Sequence, residues 1–317
     1  VRTIRGVTPT RQGSLHLFRV FGIDVYLHWS WFIIAIIEIN ARRGHYSSPS
    51  WNALEYVALF AVVLLHEMGH ALACRQVGGQ ANQIVLWPLG GVAYVSPPPR
   101  PGATLWSIAA GPLVNAILLP IFWSCVLFGR QLGWDHSLPN FYAFLRAMVL
   151  LNAVLLCFNL LPIYPLDGGQ ILGSLLWFVI GRARSLMVVS ILGMIGVVGL
   201  FALALAQRSP LMGVMSAFIL MNCWTGLRHA RTLARLASLP RHAGLACPEC
   251  GAAPPAGDFW PCPQCHVRFD PFAAGAVCPK CQTLSTTTFC FECGRRTPLE
   301  TWIPARPVPS AGPPPLA

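Results

Sequence analysis

Long apolar blocks parted by short polar loops dominate the first two thirds of the chain. They lie at about Val25–Ile39, Ala53–Val77, Ala103–Phe128, Phe141–Leu161, Gly168–Ile180, Leu186–Ala206 and Leu211–Leu227. A helix needs about 20 apolar residues to cross a bilayer, so the shorter blocks predict tilted or paired segments. The fourth and fifth blocks are parted only by Leu161-Pro162-Ile163-Tyr164-Pro165-Leu166-Asp167. They read as one broken span, because the two prolines remove donors and stop a helix. Irregular backbone at that depth is tolerated only inside protein or beside a water-filled cavity. The pattern predicts an all-α polytopic membrane domain over residues 25–227, with about six transmembrane helices. Between the second and third spans, two short apolar runs around Gly90-Gly91 predict a small membrane-associated β hairpin. Its edge is suited to pairing with an extended substrate; a plain buried connection fits the same pattern.

Composition agrees with a lipid environment. Of 317 residues, 55% are hydrophobic and 10% are charged, against about 25% charged in soluble domains. The net charge is +11, and every basic residue but Lys280 is arginine. Residues 1–24 are polar and basic, without the apolar run of a cleavable signal peptide, and are expected to form a cytoplasmic lead-in. Arg2, Arg5, Arg11 and Arg19 precede the first span, and Arg228, Arg231, Arg235 and Arg241 follow the last. Arg75, Arg100, Arg182 and Arg184 fall on the same side. Arg42, Arg43, Arg130 and Arg208 fall on the other. The positive-inside rule then predicts an integral protein of the cell membrane with both termini cytoplasmic, although Arg42 and Arg43 run against it.

The candidate chemistry lies inside the second block. His66-Glu67-Met68-Gly69-His70 is an HExxH motif. On a helix it sets two imidazoles one turn apart on one face, as needed to grip one Zn²⁺, with Glu67 beside them as a base. Ionisable residues in a span cost about 2.5–3.5 kcal/mol each on insertion scales and mark function by default. A satisfied polar cluster between helices is the bland alternative. A hydrolytic zinc takes three protein ligands and a water. The candidate third ligand is Asp167, the one acidic residue between Asp135 and Glu249, followed by Gly168 and Gly169, which permit close approach. Asp167 also suits the N-cap of a helix starting at Gly168.

These residues carry a resemblance. The chain resembles the site-2 protease family of intramembrane metalloproteases, and is similar to its sporulation-factor branch. Three motifs match: His66 to His70; Gly111 to Asn115 as GxxxN; and Asn159 to Gly168 as NxxPxxxxDG. Gly22 to Trp31 and Pro88 to Ala93 fit as flanking features, and the likeness covers roughly residues 15–227. The resemblance implies cleavage of a transmembrane or membrane-proximal segment of another protein, with Asp167 as a zinc ligand. It implies that Asn159 helps hold the substrate or the oxyanion, and that Asn115 has a supporting place in the core. Simple hydrogen bonding between helices, or capping of the broken span, would also account for the two asparagines.

After Leu227 the chain changes character. Residues 228–246 form a basic juxtamembrane linker, and residues 298–317 a proline-rich tail expected to be disordered. Between them lie four Cys-x-x-Cys knuckles: Cys247/Cys250, Cys262/Cys265, Cys278/Cys281 and Cys290/Cys293. Two knuckles make one tetrahedral zinc site, so residues 247–297 resemble a double zinc ribbon holding two structural zincs. The segment reads as a repeat, with Phe259-Trp260 and Phe289 each shortly before a second knuckle. On that ground the first two knuckles are paired on one zinc and the last two on the other; an interleaved pairing also fits. So short a segment needs metal as a staple. Its nearly balanced charge argues against nucleic acid, and a cytoplasmic regulatory protein is a candidate partner.

The sequence thus predicts a zinc-dependent intramembrane endopeptidase with one catalytic and two structural zincs, acting on a transmembrane protein within membrane lipid. The alternatives are a non-catalytic membrane adaptor and a metal carrier. An adaptor has no use for a base at Glu67, and a carrier calls for ionisable residues on several spans.

Overall fold

The computed structural model describes residues 13–41, 44–87, 90–293 and 295–302. Residues 1–12 of the expected lead-in, Arg42 and Arg43, Pro88 and Leu89 of the hairpin, and residues 303–317 of the expected tail lie outside the described residues. In chain order the elements are β1 (Ser14–Val20), β2 (Ile23–His28), α1 (Ser30–Ala41), α2 (Pro49–Gln76), β3 (Gln80–Trp87) and β4 (Gly90–Ser96). Then follow α3 (Pro101–Gln131), α4 (Trp134–Ser137), α5 (Pro139–Asn159), α6 (Asp167–Ile180), α7 (Arg182–Ala206) and α8 (Pro210–Ala237). The C-terminal module holds β5 (Trp260–Pro261), β6 (Arg268–Phe269), β7 (Thr287–Phe289), β8 (Arg296–Pro298) and a 3₁₀ turn, Leu299–Trp302. The chain divides into two compact units at Ala234/Arg235.

Among the described residues, α2, α3, α5 and α7 are long and apolar enough to cross a membrane. This is fewer than the six spans expected. The expected first span is cut short because its start is strand, leaving α1 with 12 residues. The expected broken span is two separate helices: α5, 21 residues long, and the short α6 of 14 residues. The segment with Pro162 and Pro165 lies between them. The apolar part of α8 runs on without interruption into Arg228, Arg231 and Arg235, so the first part of the expected linker is helix.

The expected hairpin is present as β3 and β4, but it belongs to a four-stranded sheet of order β1-β2-β3-β4. Strands β1 and β2 pair antiparallel, β2 and β3 parallel, and β3 and β4 antiparallel. The last part of the expected lead-in is therefore sheet. Its residues Ile23-Asp24-Val25-Tyr26-Leu27-His28 alternate apolar with polar, the period that buries one face of a strand. Ile23, Val25, Ile84 and Leu86 pack with Val63, Met68, Ala71 and Cys74 of α2 in one core. Pro49 opens α2, where its missing N–H costs nothing. Gly78, at φ 81°, turns the chain out of it toward β3.

The C-terminal unit is built from repeated knuckles. In each, the amide of the first cysteine of a Cys-x-x-Cys pair donates to the carbonyl two residues beyond the pair. Examples are Cys247 N to Ala252 O, Cys262 N to Val267 O and Cys278 N to Thr283 O, at 2.8–3.0 Å. The module is wider than expected. At its start His242 N bonds to Pro254 O and Ala256 N to Pro240 O. At its end Trp302 is 1% exposed, packs with Cys247 and Cys290, and its carbonyl accepts from Ala246. Four knuckles leave little apolar surface of their own, and Trp302, Phe272 and Trp260 supply what they lack.

Candidate metal centres

His66, Glu67 and His70 sit on α2, each 5–6% exposed. Asp167 is the first residue of α6. Its Oδ2 lies 3.0 Å from His66 Nε2 and 3.4 Å from His70 Nε2, and the two Nε2 atoms are 3.1 Å apart. Ligands about 2.0–2.1 Å from a tetrahedral zinc lie about 3.3 Å apart. The three atoms therefore have the separations of three corners of such a tetrahedron.

The other imidazole nitrogens are both engaged. His70 Nδ1 donates to the carbonyl of Ser107 at 2.9 Å, and His66 Nδ1 faces Asn115 Oδ1 at 3.2 Å. With hydrogen on Nδ1, each ring keeps its Nε2 lone pair for a metal. Close approach of α3 makes this possible. A Cβ on Gly111 would lie 2.3 Å from His70 Cε1 and Nε2, and one on Gly69 would lie 2.7 Å from Ala110 O. Gly168 is likewise pressed against the carbonyl of Leu160, which brings the start of α6 under the end of α5.

Glu67 does not point at Asp167's partners but toward the sheet. Its Oε2 accepts from the amide of Ala93 on β4 at 2.8 Å. Gly91 lies against the same side chain. Asn159 ends α5 and is half-buried; no hydrogen bond among the described residues joins it to the His66–His70–Asp167 group. Sequence reading missed two contributors, Ser107 and Asn152. Ser107 acts through its carbonyl and leaves no residue-type signal. Asn152 leaves one, a fully buried amide in an apolar helix, donating to Asn115 O at 2.8 Å.

The cysteines form two groups, and the pairing differs from the one expected. Cys247 and Cys250 gather with Cys290 and Cys293, while Cys262 and Cys265 gather with Cys278 and Cys281. The outer knuckles share one site and the inner knuckles the other, a nested order that is neither consecutive nor interleaved. The ends of the module are drawn together by the main-chain bond from Ala246 to Trp302 and the Arg241–Glu292 ion pair, leaving the inner knuckles to face each other. The Sγ–Sγ distances are 3.8 Å for Cys247–Cys293 and 3.7 Å for Cys250–Cys290. For Cys262–Cys281 and Cys265–Cys278 they are 3.5 and 3.6 Å. Sulfurs about 2.3 Å from a tetrahedral zinc lie about 3.8 Å apart, whereas a disulfide needs about 2.05 Å. The Thr283 hydroxyl, 3.1 Å from Cys281 Sγ, and the Thr283 amide pull that thiol down to about 6, toward the thiolate a metal requires.

The profile of peptidase family M50 matches residues 55–136 and 135–203, which carry α2 through most of α7. A zinc metalloprotease of Methanocaldococcus jannaschii is 34% identical over 182 residues, 57% of this chain and 50% of its own length. The stage IV sporulation protein FB of Bacillus subtilis is 29% identical over 148 residues, 46% of each chain. The chain thus spans about half the length of these curated relatives. The solved site-2 protease from Methanocaldococcus jannaschii matches with a TM-score of 0.51 at 28% identity, over 68% of this chain and 95% of that one. The stretch that holds His66, His70 and Asp167 thus matches the profile of peptidase family M50 and is similar to a solved site-2 protease.

Proposed function

We propose that the protein is a zinc-dependent intramembrane endopeptidase that hydrolyses a peptide bond in or near a transmembrane segment of another protein, in regulated intramembrane proteolysis. The observation that carries this is the His66–His70–Asp167 triangle, with edges of 3.0–3.4 Å, its two histidines on a helix apolar enough to span and Glu67 between them in sequence. The donor set of two imidazoles and one carboxylate suits a catalytic zinc, which when bound supplies Lewis acidity to a carbonyl and acidity to a water. His66, His70 and Asp167 would hold it. Glu67 takes the proton of the attacking water and passes it to the leaving amine. Its bond to the Ala93 amide keeps the carboxylate oriented between sheet and helix. Asn159 steadies the substrate or the oxyanion from the end of α5. Gly111 and Gly168 let backbone come close enough to seat His70 and Asp167.

Strand β4 ends the sheet order, and its edge offers main-chain groups to an extended substrate. The two cysteine groups would each hold one structural zinc, and their module is a docking place for a cytoplasmic regulatory protein. Arginine placement supports a cell-membrane orientation with both termini cytoplasmic. The test is a comparison of membrane proteomes from cells carrying the wild-type protein and Glu67→Gln. Accumulation of a single-span protein only with Glu67→Gln is expected. Equal processing in both would remove Glu67 as the base and the endopeptidase reading with it.

A further inference from the structure

Asn152 sits on the same helix as Asn159 and is fully buried, although its neighbours in the chain, Leu150, Leu151, Ala153 and Val154, are all apolar and Leu150 and Val154 face outward. A buried amide is costly unless it is bonded. Its Nδ2 donates to the main-chain oxygen of Asn115 on α3 at 2.8 Å. Asn115, also fully buried, presents Oδ1 to Nδ1 of His66 at 3.2 Å. Two hydrogen bonds therefore lead from α5 through α3 to the first imidazole of α2.

This path has one workable polarity. A carbonyl only accepts, so Asn152 must offer its NH₂ to Asn115. For His66 to present a bare Nε2 to a metal, its Nδ1 must carry hydrogen, and Asn115 must offer Oδ1. The reverse amide orientation would move the proton onto Nε2, the atom that faces Asp167 and His70. The bond from Asn152 fixes the Asn115 backbone from which that Oδ1 reaches out. The leftover atoms, Asn115 Nδ2 and Asn152 Oδ1, are buried and have no hydrogen-bond partner among the described residues. Each such atom costs on the order of 1–3 kcal/mol. A leucine at position 152 would fill similar space without that cost. The arrangement favours placement of His66 over stability.

We infer that Asn152 is a positioning residue for His66: acting through Asn115, it holds the first imidazole in the Nδ1–H form with Nε2 aimed at the metal. The inference rests on the zinc reading above. The experiment counts zinc per chain in the full-length, membrane-reconstituted protein during titration with a chelator, comparing wild type, His66→Ala and Asn152→Leu. The cysteine-bound zincs serve as an internal reference. Wild type is expected to retain one zinc more than His66→Ala. Asn152→Leu is expected to give up that zinc at about 10–100-fold less chelator, the usual loss when a ligand's supporting bond is removed. Its cysteine-bound zincs stay put, kcat falls and KM is unmoved. A leucine variant that melts earlier but holds the extra zinc like wild type overturns the inference and makes Asn152 a packing residue. No difference between wild type and His66→Ala overturns the zinc reading itself, and this inference with it. Asn152→Ala, smaller than the native side chain, gives the same readout if the leucine variant does not accumulate.

Discussion

The amide of Ala93 and the Oε2 of Glu67 lie 2.8 Å apart, so the last strand of the sheet holds the carboxylate proposed as the base. The contact exists because position 91 has no side chain. A Cβ there would lie 2.3 Å from Glu67 Cγ and 2.6 Å from its Oε1. Gly91→Val should therefore push β4 off α2 or force Glu67 out of place. The expected cost is about 1–3 kcal/mol of overpacking, with cleavage falling about 100-fold or more because general-base catalysis contributes about 10²–10⁴-fold. Zinc content should stay at the wild-type level, since His66, His70 and Asp167 are untouched. Cleavage assays with parallel metal analysis check this, and undiminished turnover would mean that β4 does not position Glu67.

Gly111 predicts the opposite pattern. A Cβ at that position would lie 2.3 Å from the Nε2 of His70, the atom facing the metal centre. Gly111→Ala should displace the ring or part α3 from α2. The catalytic zinc should be lost together with activity, while the cysteine-bound zincs remain. Metal analysis of the purified variant separates this from the Gly91 case; a variant with its full zinc complement would show that the helices give way without moving the ring.

Much of this centre is legible in the sequence, for identifiable reasons. A helix turns the spacing of His66 and His70 into one face, and Asp167 stands alone in a long apolar stretch. The β3–β4 hairpin is legible from apolar runs around Gly90-Gly91. Strand β2 is less so: its alternation is plain, but Val25 and Leu27 merge with the apolar run of α1, and the longer block masks the shorter period. Ser107 is invisible because the bond runs through a carbonyl; Asn152 stands out as an amide in an apolar helix, but nothing local ties it to His66. The knuckle pairing escapes for a different reason. Every Cys-x-x-Cys turn looks alike, and which two meet is decided by contacts between residues far apart in the chain, such as Ala246 and Trp302.

The nested pairing has a stoichiometric consequence. Cys247→Ser and Cys293→Ser should each empty the same site, so the double variant loses one zinc, as each single variant does. Cys247→Ser combined with Cys262→Ser should lose two, because those cysteines serve different groups. Zinc counted per chain after gel filtration decides between the arrangements. Two zincs lost on combining Cys247→Ser with Cys293→Ser would overturn the nested pairing.

Asp270 links acidity to the stability of the C-terminal unit. Its Oδ2 accepts from the Gly257 amide at 2.8 Å and meets His242 Nε2 at 2.7 Å, and its Oδ1 accepts from the amides of Phe272 and Ala273. Burial opposes ionisation of this carboxyl, but the Gly257 amide, His242 and the two further amides outweigh it and hold the carboxyl below its usual range. A depressed carboxylate contributes stability that is present above its unfolded pKa, about 3.9, and is lost as pH falls through the lower folded value. Asp270→Asn removes that contribution. Hydrogen bonds to a charged group are worth about 1.5–3 kcal/mol, so amides in residues 257–274 should exchange about 10–100-fold faster in the variant at pH 7. Taking the ratio of variant to wild type at each pH cancels both intrinsic exchange and acid release of zinc. That ratio should shrink toward one as pH drops below about 4; a ratio that stays constant from pH 7 to pH 3 would mean the Asp270 bonds do not depend on its charge.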